Sequence, residues 1–262
     1  MNITVENGRY GKLPRQVFRT MGNSHEHQHA IVFVHGGGHV RGSMDNKNLA
    51  GAEEYFAKLG YRTFSINYEY ATPTHKKYPY GLWEVELAIG HFRSHFNILS
   101  LTIVGTSAGA SVVAQSSNHY ANQTAKNPPT YRWKPADAIV LFYGVLNYQE
   151  LERDLLVNEK TSVVDMIHQY LGTDNPKVLE RASPHNNVSG IAKLKIPTLI
   201  FHGDSDIVVK DLQSQDYHER LSSANPLRTY FIIREGRPHG YPVVDEGSVI
   251  DTFIKDIALK PF

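Results

Sequence analysis

The stretch Leu101-Thr102-Ile103-Val104-Gly105-Thr106-Ser107-Ala108-Gly109-Ala110-Ser111-Val112-Val113 joins a β-branched run to a segment of helical period through a pentapeptide of the form G-x-S-x-G. The spacing places Ser107 at the tip of a sharp strand-to-helix turn, where its Oγ projects above the end of a sheet. Such a turn brings the residues two before and two after the serine together, and Gly105 and Gly109 supply the missing bulk. Ser107 is therefore the candidate nucleophile, and its turn predicts a strand before it and a helix after it.

The same alternation extends outward in both directions. Short, nearly continuous apolar runs at residues 30–34, 61–66, 101–104, 138–142, 197–201 and 230–233 read as buried parallel strands, with an antiparallel strand at residues 16–20 before them. Residues 48–59, 81–96, 107–120, 210–224 and 246–258 carry apolar side chains three and four apart, as amphipathic crossover helices do. The expected fold class is α/β, a mostly parallel sheet with helices on both faces. With 262 residues the expectation is a single domain spanning residues 1–262. One interval breaks the rhythm: residues 147–195 separate two strands and carry Leu151, Leu155, Leu156, Val163, Val164, Ile167 and Leu171 at helical spacing. This is expected to be a small helical lid, with Leu155, Leu156, Val163 and Ile167 either walling a substrate site or packing on the core. Asn127-Pro128-Pro129 reads as a turn.

Composition narrows the function. The chain has no cysteine, which excludes disulfides, thiolate metal ligands and a cysteine nucleophile. Its 27 Lys and Arg balance 26 Asp and Glu without a basic block, so neither a nucleic-acid nor a membrane-surface partner is expected. No apolar run at the N-terminus has the length of a signal-peptide core, and none elsewhere has the ~20 residues of a membrane span. The expectation is a soluble, cytoplasmic protein acting on a small molecule.

A second glycine-rich element, His35-Gly36-Gly37-Gly38, follows the run at residues 30–34. Such a bend leaves backbone N–H groups free to meet a developing oxyanion, and those of Gly37, Gly38 and Ala108 are the candidate oxyanion hole. A phosphate-binding loop is the competing reading, but neither G-x-G-x-x-G nor a Walker lysine follows.

Together these elements resemble the hormone-sensitive-lipase-like esterases of the α/β-hydrolase superfamily. The resemblance rests on residues 35–43 (HGGGHVRGS), on Asn67-Tyr68-Glu69-Tyr70-Ala71-Thr72-Pro73 followed by Tyr78-Pro79, on the Gly105–Gly109 elbow, and on His202-Gly203-Asp204-Ser205-Asp206 with Pro238-His239-Gly240. It runs from about residue 30 to the C-terminus. The chain departs from the family pattern at Thr106, where many members carry Asp, and at Glu69 and Tyr70, which replace Arg and Leu. Its N-terminal segment is shorter than the family's helical cap, which is similar to compact relatives.

The resemblance implies an α/β-hydrolase fold and a triad in the chain order Ser107, Asp206, His239. Asp206 rather than Asp204 matches the acid of the HG-x-x-D loop. It also implies an ester hydrolase working through an acyl-enzyme, with no metal and no cofactor, and because only the insertion at residues 147–195 is available to build an acyl tunnel, short-acyl substrates are expected. Amide hydrolases of arylformamidase-like or dipeptidyl-peptidase-like type share these features, and the alternative from another class is a non-catalytic ligand-binding protein on the same fold, against which the joint retention of Ser107, Asp206 and His239 argues. His25-Glu26-His27-Gln28-His29 fits H-E-x-x-H but runs into a strand instead of a helix, so a solvated polar loop is expected there. His185 and His218 are assigned structural or surface roles, and the fourteen histidines are expected to lie mostly on the surface.

Overall fold

The computed structural model describes residues 3–22, 28–124 and 134–259. The histidine-rich stretch at residues 25–27 and the turn at residues 127–129 lie outside the described residues.

Eight strands form one sheet: β1 (Thr4–Arg9), β2 (Val17–Gly22), β3 (Gln28–Val34), β4 (Arg62–Ile66), β5 (Ile98–Thr106), β6 (Ala138–Phe142), β7 (Thr198–Gly203) and β8 (Thr229–Arg234), in the spatial order β1-β2-β4-β3-β5-β6-β7-β8. From β4 through β3 to β8 every pairing is parallel, whereas β1 and β2 run antiparallel. This is the mostly parallel α/β-hydrolase sheet that the sequence led us to expect. The central strands show why: their side chains alternate between two cores. On β3, Ile31 and Phe33 join one hydrophobic cluster while Ala30, Val32 and Val34 join the other, and on β6 Val140 and Phe142 oppose Ile139 and Leu141 in the same way.

Helices cover both faces. α2 (Tyr80–His95), α3 (Ala108–Thr124), α7 (Ser189–Lys193) and α8 (Leu212–Ala224) pack on the face of Val32 and Ile103, through residues such as Val85, Val113, Ile191 and Leu221. α1 (Ala52–Lys58) and α9 (Gly247–Phe253) pack on the other through Phe56, Ile250 and Phe253. Between β6 and β7 the chain forms α4 (Tyr148–Val157), α5 (Thr161–Leu171), α6 (Pro176–Ala182) and the short α7. Local chemistry sets the ends of these helices. The Asn147 side chain accepts from the Glu150 N–H at the start of α4, and Asn175 with Pro176 opens α6. α4, α5 and α6 share a third cluster, built on Leu151, Leu155, Val164, Ile167 and Leu179, which also takes in Ala71 and Val209.

Three details differ from the sequence reading. β1 was not expected, because its residues are almost all exposed and carry no apolar alternation. The helix expected over 48–59 is split at Gly51 into a 3-10 turn at Lys47–Leu49 and α1. Four of the twelve described histidines lie inside rather than at the surface: His35, His39, His185 and His202 are buried, each held by aromatic stacking or polar contacts that the sequence did not display.

Candidate active site

The carboxyl ends of β3, β5, β7 and β8 carry every residue singled out as catalytic or oxyanion-binding. Ser107 follows β5 and opens α3, with φ of 52°, a conformation costly for a residue bearing Cβ. Close approach enforces it: a Cβ on Gly105 would fall 2.6 Å from the Gly109 carbonyl oxygen, and one on Gly109 would fall 2.5 Å from those of Val34 and His35. The Ser107 N–H is tied to the Phe142 carbonyl at 2.9 Å, which fixes the elbow to β6.

The loop after β8 brings His239 to the elbow. Its Nε2 lies 2.9 Å from Ser107 Oγ, and its Nδ1 lies 2.7 Å from Asp206 Oδ2. Asp206 reaches this point on the turn after β7, with its side chain fully out of solvent. Its second oxygen, Oδ1, accepts the N–H groups of Val208 and Val209 at 2.8 and 2.9 Å. Burial pushes the Asp206 carboxyl up, yet the hydrogen bonds from His202 and His239 and the Val209 N–H outweigh it and hold the group well below the usual carboxylate range. Asp204 stands elsewhere, exposed, with Oδ1 accepting the Gly236 N–H at 2.7 Å, where it ties the acid loop to the histidine loop.

The glycine-rich bend lies against the elbow. Gly37 takes φ of 123°, and a Cβ there would sit 2.1 Å from the Arg41 carbonyl oxygen, so only glycine fits. The Gly37 carbonyl accepts from Val40 and Arg41, while the N–H groups of Gly37 and Gly38 donate to no protein acceptor among the described residues. Ala108 is the first residue of α3, where a backbone N–H has no intrahelical partner. The bend is braced from outside. Arg15 and the Tyr70 hydroxyl donate to the Gly42 carbonyl, the Ala71 N–H donates to the His39 carbonyl, and the Arg15 guanidinium lies 3.7 Å from the centre of the Tyr70 ring. His35 and His39 are held neutral, their pKa values pulled down by burial to about 4 and about 3. His39 stacks on Tyr170 with centroids 3.6 Å apart and meets the Tyr148 hydroxyl at 3.0 Å.

Ser107, His239, Gly37, Gly38 and Ala108 open onto one cavity of about 390 Å³. Val163, Met166 and Ile167 of α5 form an apolar wall, and Arg41, Asn46 and Asn48 are the polar lining. Of the four insertion residues named from sequence, Val163 and Ile167 line the cavity, Leu155 is buried in the helical cluster, and Leu156 is 53 % exposed. Met166 and His202 were missed. Met166 breaks the run of aliphatic residues used to trace the insertion, and nothing in the sequence distinguishes a histidine that touches the acid from one that merely precedes a glycine.

Among the described residues no group of three or more His, Cys, Asp or Glu side chains is placed to hold a metal ion, and no helix is long and apolar enough to cross a membrane. His29 lies on β3, with Nδ1 2.7 Å from Ser100 Oγ.

A mostly parallel sheet whose strand ends bring a serine on a strained elbow, a histidine and a buried aspartate into one hydrogen-bonded line defines an α/β-hydrolase. Within that class the chain belongs to the BD-FAE family, whose profile matches residues 18–221 and so takes in Ser107 and Asp206 but stops before His239. It is 26 % identical over 230 residues to esterase LipC of Mycobacterium tuberculosis, a match covering 82 % of this chain and 53 % of the relative. The chain thus spans about half the length of that curated relative. Its fold is shared with a truncated carbohydrate esterase from gut microbiota (TM-score 0.74, 19 % identity, 99 % of this chain and 97 % of that one). It is shared also with the propionate-bound esterase Est2 of Thermogutta terrifontis (TM-score 0.69, 22 % identity, 98 % and 96 %). A third similar structure is an acetyl ester-xyloside bifunctional hydrolase from Caldicellulosiruptor lactoaceticus (TM-score 0.70, 20 % identity, 94 % and 90 %).

Proposed function

We propose that this protein is a serine carboxylic-ester hydrolase that cleaves small, short-acyl esters through an acyl-enzyme. The observation that carries the proposal is the unbroken line from Ser107 Oγ through His239 to Asp206 on the wall of a cavity that also presents unpaired backbone N–H groups. In this reading His239 Nε2 takes the Ser107 proton as Oγ attacks the ester carbonyl carbon. Asp206 fixes the proton on Nδ1 and stabilises the imidazolium, and the N–H groups of Gly37, Gly38 and Ala108 receive the oxyanion. Collapse of the tetrahedral intermediate expels the alcohol with the proton from His239. Water, deprotonated by the same nitrogen, then releases the acid and frees Ser107.

The cavity's lining offers groups that fit both halves of such an ester. Val163, Met166 and Ile167 suit a short apolar acyl group, whereas Arg41, Asn46 and Asn48 suit a hydroxyl-rich alcohol. Carbohydrate appears in the names of two of the similar structures, in keeping with a sugar as that alcohol.

The test is Ser107→Ala assayed on p-nitrophenyl acetate. Turnover is expected to fall by at least ~10³-fold with the melting temperature nearly unchanged, because loss of one triad member costs orders of magnitude while the removed oxygen faces the cavity. Turnover within about tenfold of the parent would falsify the assignment. Arylformamides and aminoacyl anilides run alongside measure ester against amide preference.

A further inference from the structure

His202, the last residue but one of β7, is wholly buried and meets the same Asp206 oxygen as His239. Its Nε2 is 3.1 Å from Asp206 Oδ2 and 2.9 Å from the Val209 carbonyl oxygen, and its Nδ1 is 2.6 Å from Ser214 Oγ on α8. Both neighbours of Nε2 are acceptors, so Nε2 carries the proton and donates to them. In the neutral ring, Nδ1 then accepts from the Ser214 hydroxyl.

This completes the shell around the acid. Oδ2 receives His239 and His202, and Oδ1 receives Val208 and Val209. An ionised carboxylate offers about four lone-pair sites, and here each has a donor. The carboxylate therefore cannot rotate about its own bond without disturbing all four contacts, and the lone pair aimed at His239 has one direction.

We infer that His202 is a positioning residue of the catalytic apparatus, extending its hydrogen-bonded line from Ser107, His239 and Asp206 through His202 to Ser214 on α8. The inference rests on the reading of Asp206 as the acid. His202 fixes the orientation of Asp206 and draws off part of its charge, and so sets how strongly the carboxylate holds the imidazolium of His239.

The experiment compares two amide replacements that differ in reach. In His202→Gln the amide N–H extends about as far as Nε2 and can still donate to Asp206. In His202→Asn it reaches only the position of Nδ1, keeping the link to Ser214 and losing the one to the acid. For His202→Asn, kcat on p-nitrophenyl acetate is expected to fall about 10- to 100-fold, the size of one lost hydrogen bond to a charged group, with KM within about twofold.

Its pH profile should move as well. His239 meets Ser107, Asp206, the Tyr143 ring and, through Asp206, His202; Arg41 lines the same cavity, and Arg237 nearby is paired with Asp245. With one donor gone, more of the Asp206 charge acts on His239 and stabilises its imidazolium. The acid limb of kcat/KM then shifts upward, by about half a unit to one unit. His202→Gln should recover most of the turnover and return the limb to its parental position. A merely structural histidine predicts that kcat of both variants follows the folded fraction and that the two pH profiles superimpose on the parent's, and that result overturns the inference. The Ser107→Ala assay separates the two claims: if ester turnover survives it, the function itself is misassigned, whereas matched Asn and Gln profiles with Ser107→Ala inactive remove only the role of His202.

Discussion

Asp206 and Asp204 stand two residues apart in one loop and do different work. Asp206 is buried and accepts from His239, whereas Asp204 is exposed and braces the neighbouring loop through Gly236. Asp206→Asn should lower kcat by about 10⁴, because an amide presenting its NH₂ to Nδ1 selects the wrong imidazole tautomer, and Asp204→Asn should cost far less. The reverse ranking in a kcat comparison would reassign the acid. Stability gives a second reading of the same residue. The folded-state pKa of Asp206 is depressed, so its ionised form stabilises the fold above the unfolded-state value of about 4, and that contribution is lost as the pH falls through the folded value. The melting-temperature gap between the parent and Asp206→Asn should accordingly be widest near neutrality and narrow below about pH 4, and a gap that widens in acid would contradict the assignment. At this scale the sequence was most legible where backbone geometry restricts residue choice. Gly105 and Gly109 around Ser107 and Gly36 and Gly37 in the bend announce their turns because a side chain would strike backbone there. The partners of buried side chains leave no such mark, which is why the contact of His202 with Asp206 emerged only in three dimensions.

Among the elements, α5 has the most direct bearing on specificity. Val163, Met166 and Ile167 close one side of the cavity, and Met166 lies so near the bend that a Cβ on Gly38 would come within 2.9 Å of its sulfur. Each further methylene buried in a continuing tunnel would contribute about 0.8 kcal/mol, so kcat/KM would climb with chain length until the tunnel ended. A cavity of about 390 Å³ walled on one side by α5 should instead favour acyl chains of about two to four carbons. Across p-nitrophenyl acetate, butyrate, octanoate and palmitate the maximum is expected at acetate or butyrate, and Met166→Ala should move it toward longer chains. A parental maximum at octanoate or beyond would show a deep acyl site that the wall does not close. The helical period of the insertion was readable because its apolar residues recur three and four apart. Which of them face the cavity was not, since Leu155 and Val163 look alike in sequence and differ only in which neighbour covers them. β1 escaped for the opposite reason: an exposed edge strand buries nothing, so no hydrophobic pattern marks it.

For the molecule as a whole, the insertion and the sheet are one structure around the bend at residues 35–42. Tyr148 and Tyr170, from α4 and α5, enclose His39, and Gln169 donates to the Ala71 carbonyl beside it. Replacing residues 147–195 by a short linker should therefore not yield an open, faster enzyme. The expected product is inactive or insoluble even though Ser107, Asp206 and His239 are all retained. A soluble deletion variant with kcat/KM within about tenfold of the parent would show the bend to be self-supporting. The strand order has one more outcome, in the timing of synthesis. The serine rides on β5 at the middle of the sheet, while the histidine proposed to activate it follows β8 at the sheet's edge, 132 residues later in the chain. At ribosomal rates of ~5–20 residues per second, Ser107 leaves the ribosome roughly 7–26 s before His239 is made. On the proposed mechanism a growing polypeptide would carry the serine and the glycine bend before the base proposed to deprotonate that serine, and hydrolytic competence would arrive only once the residues after β8 are in place.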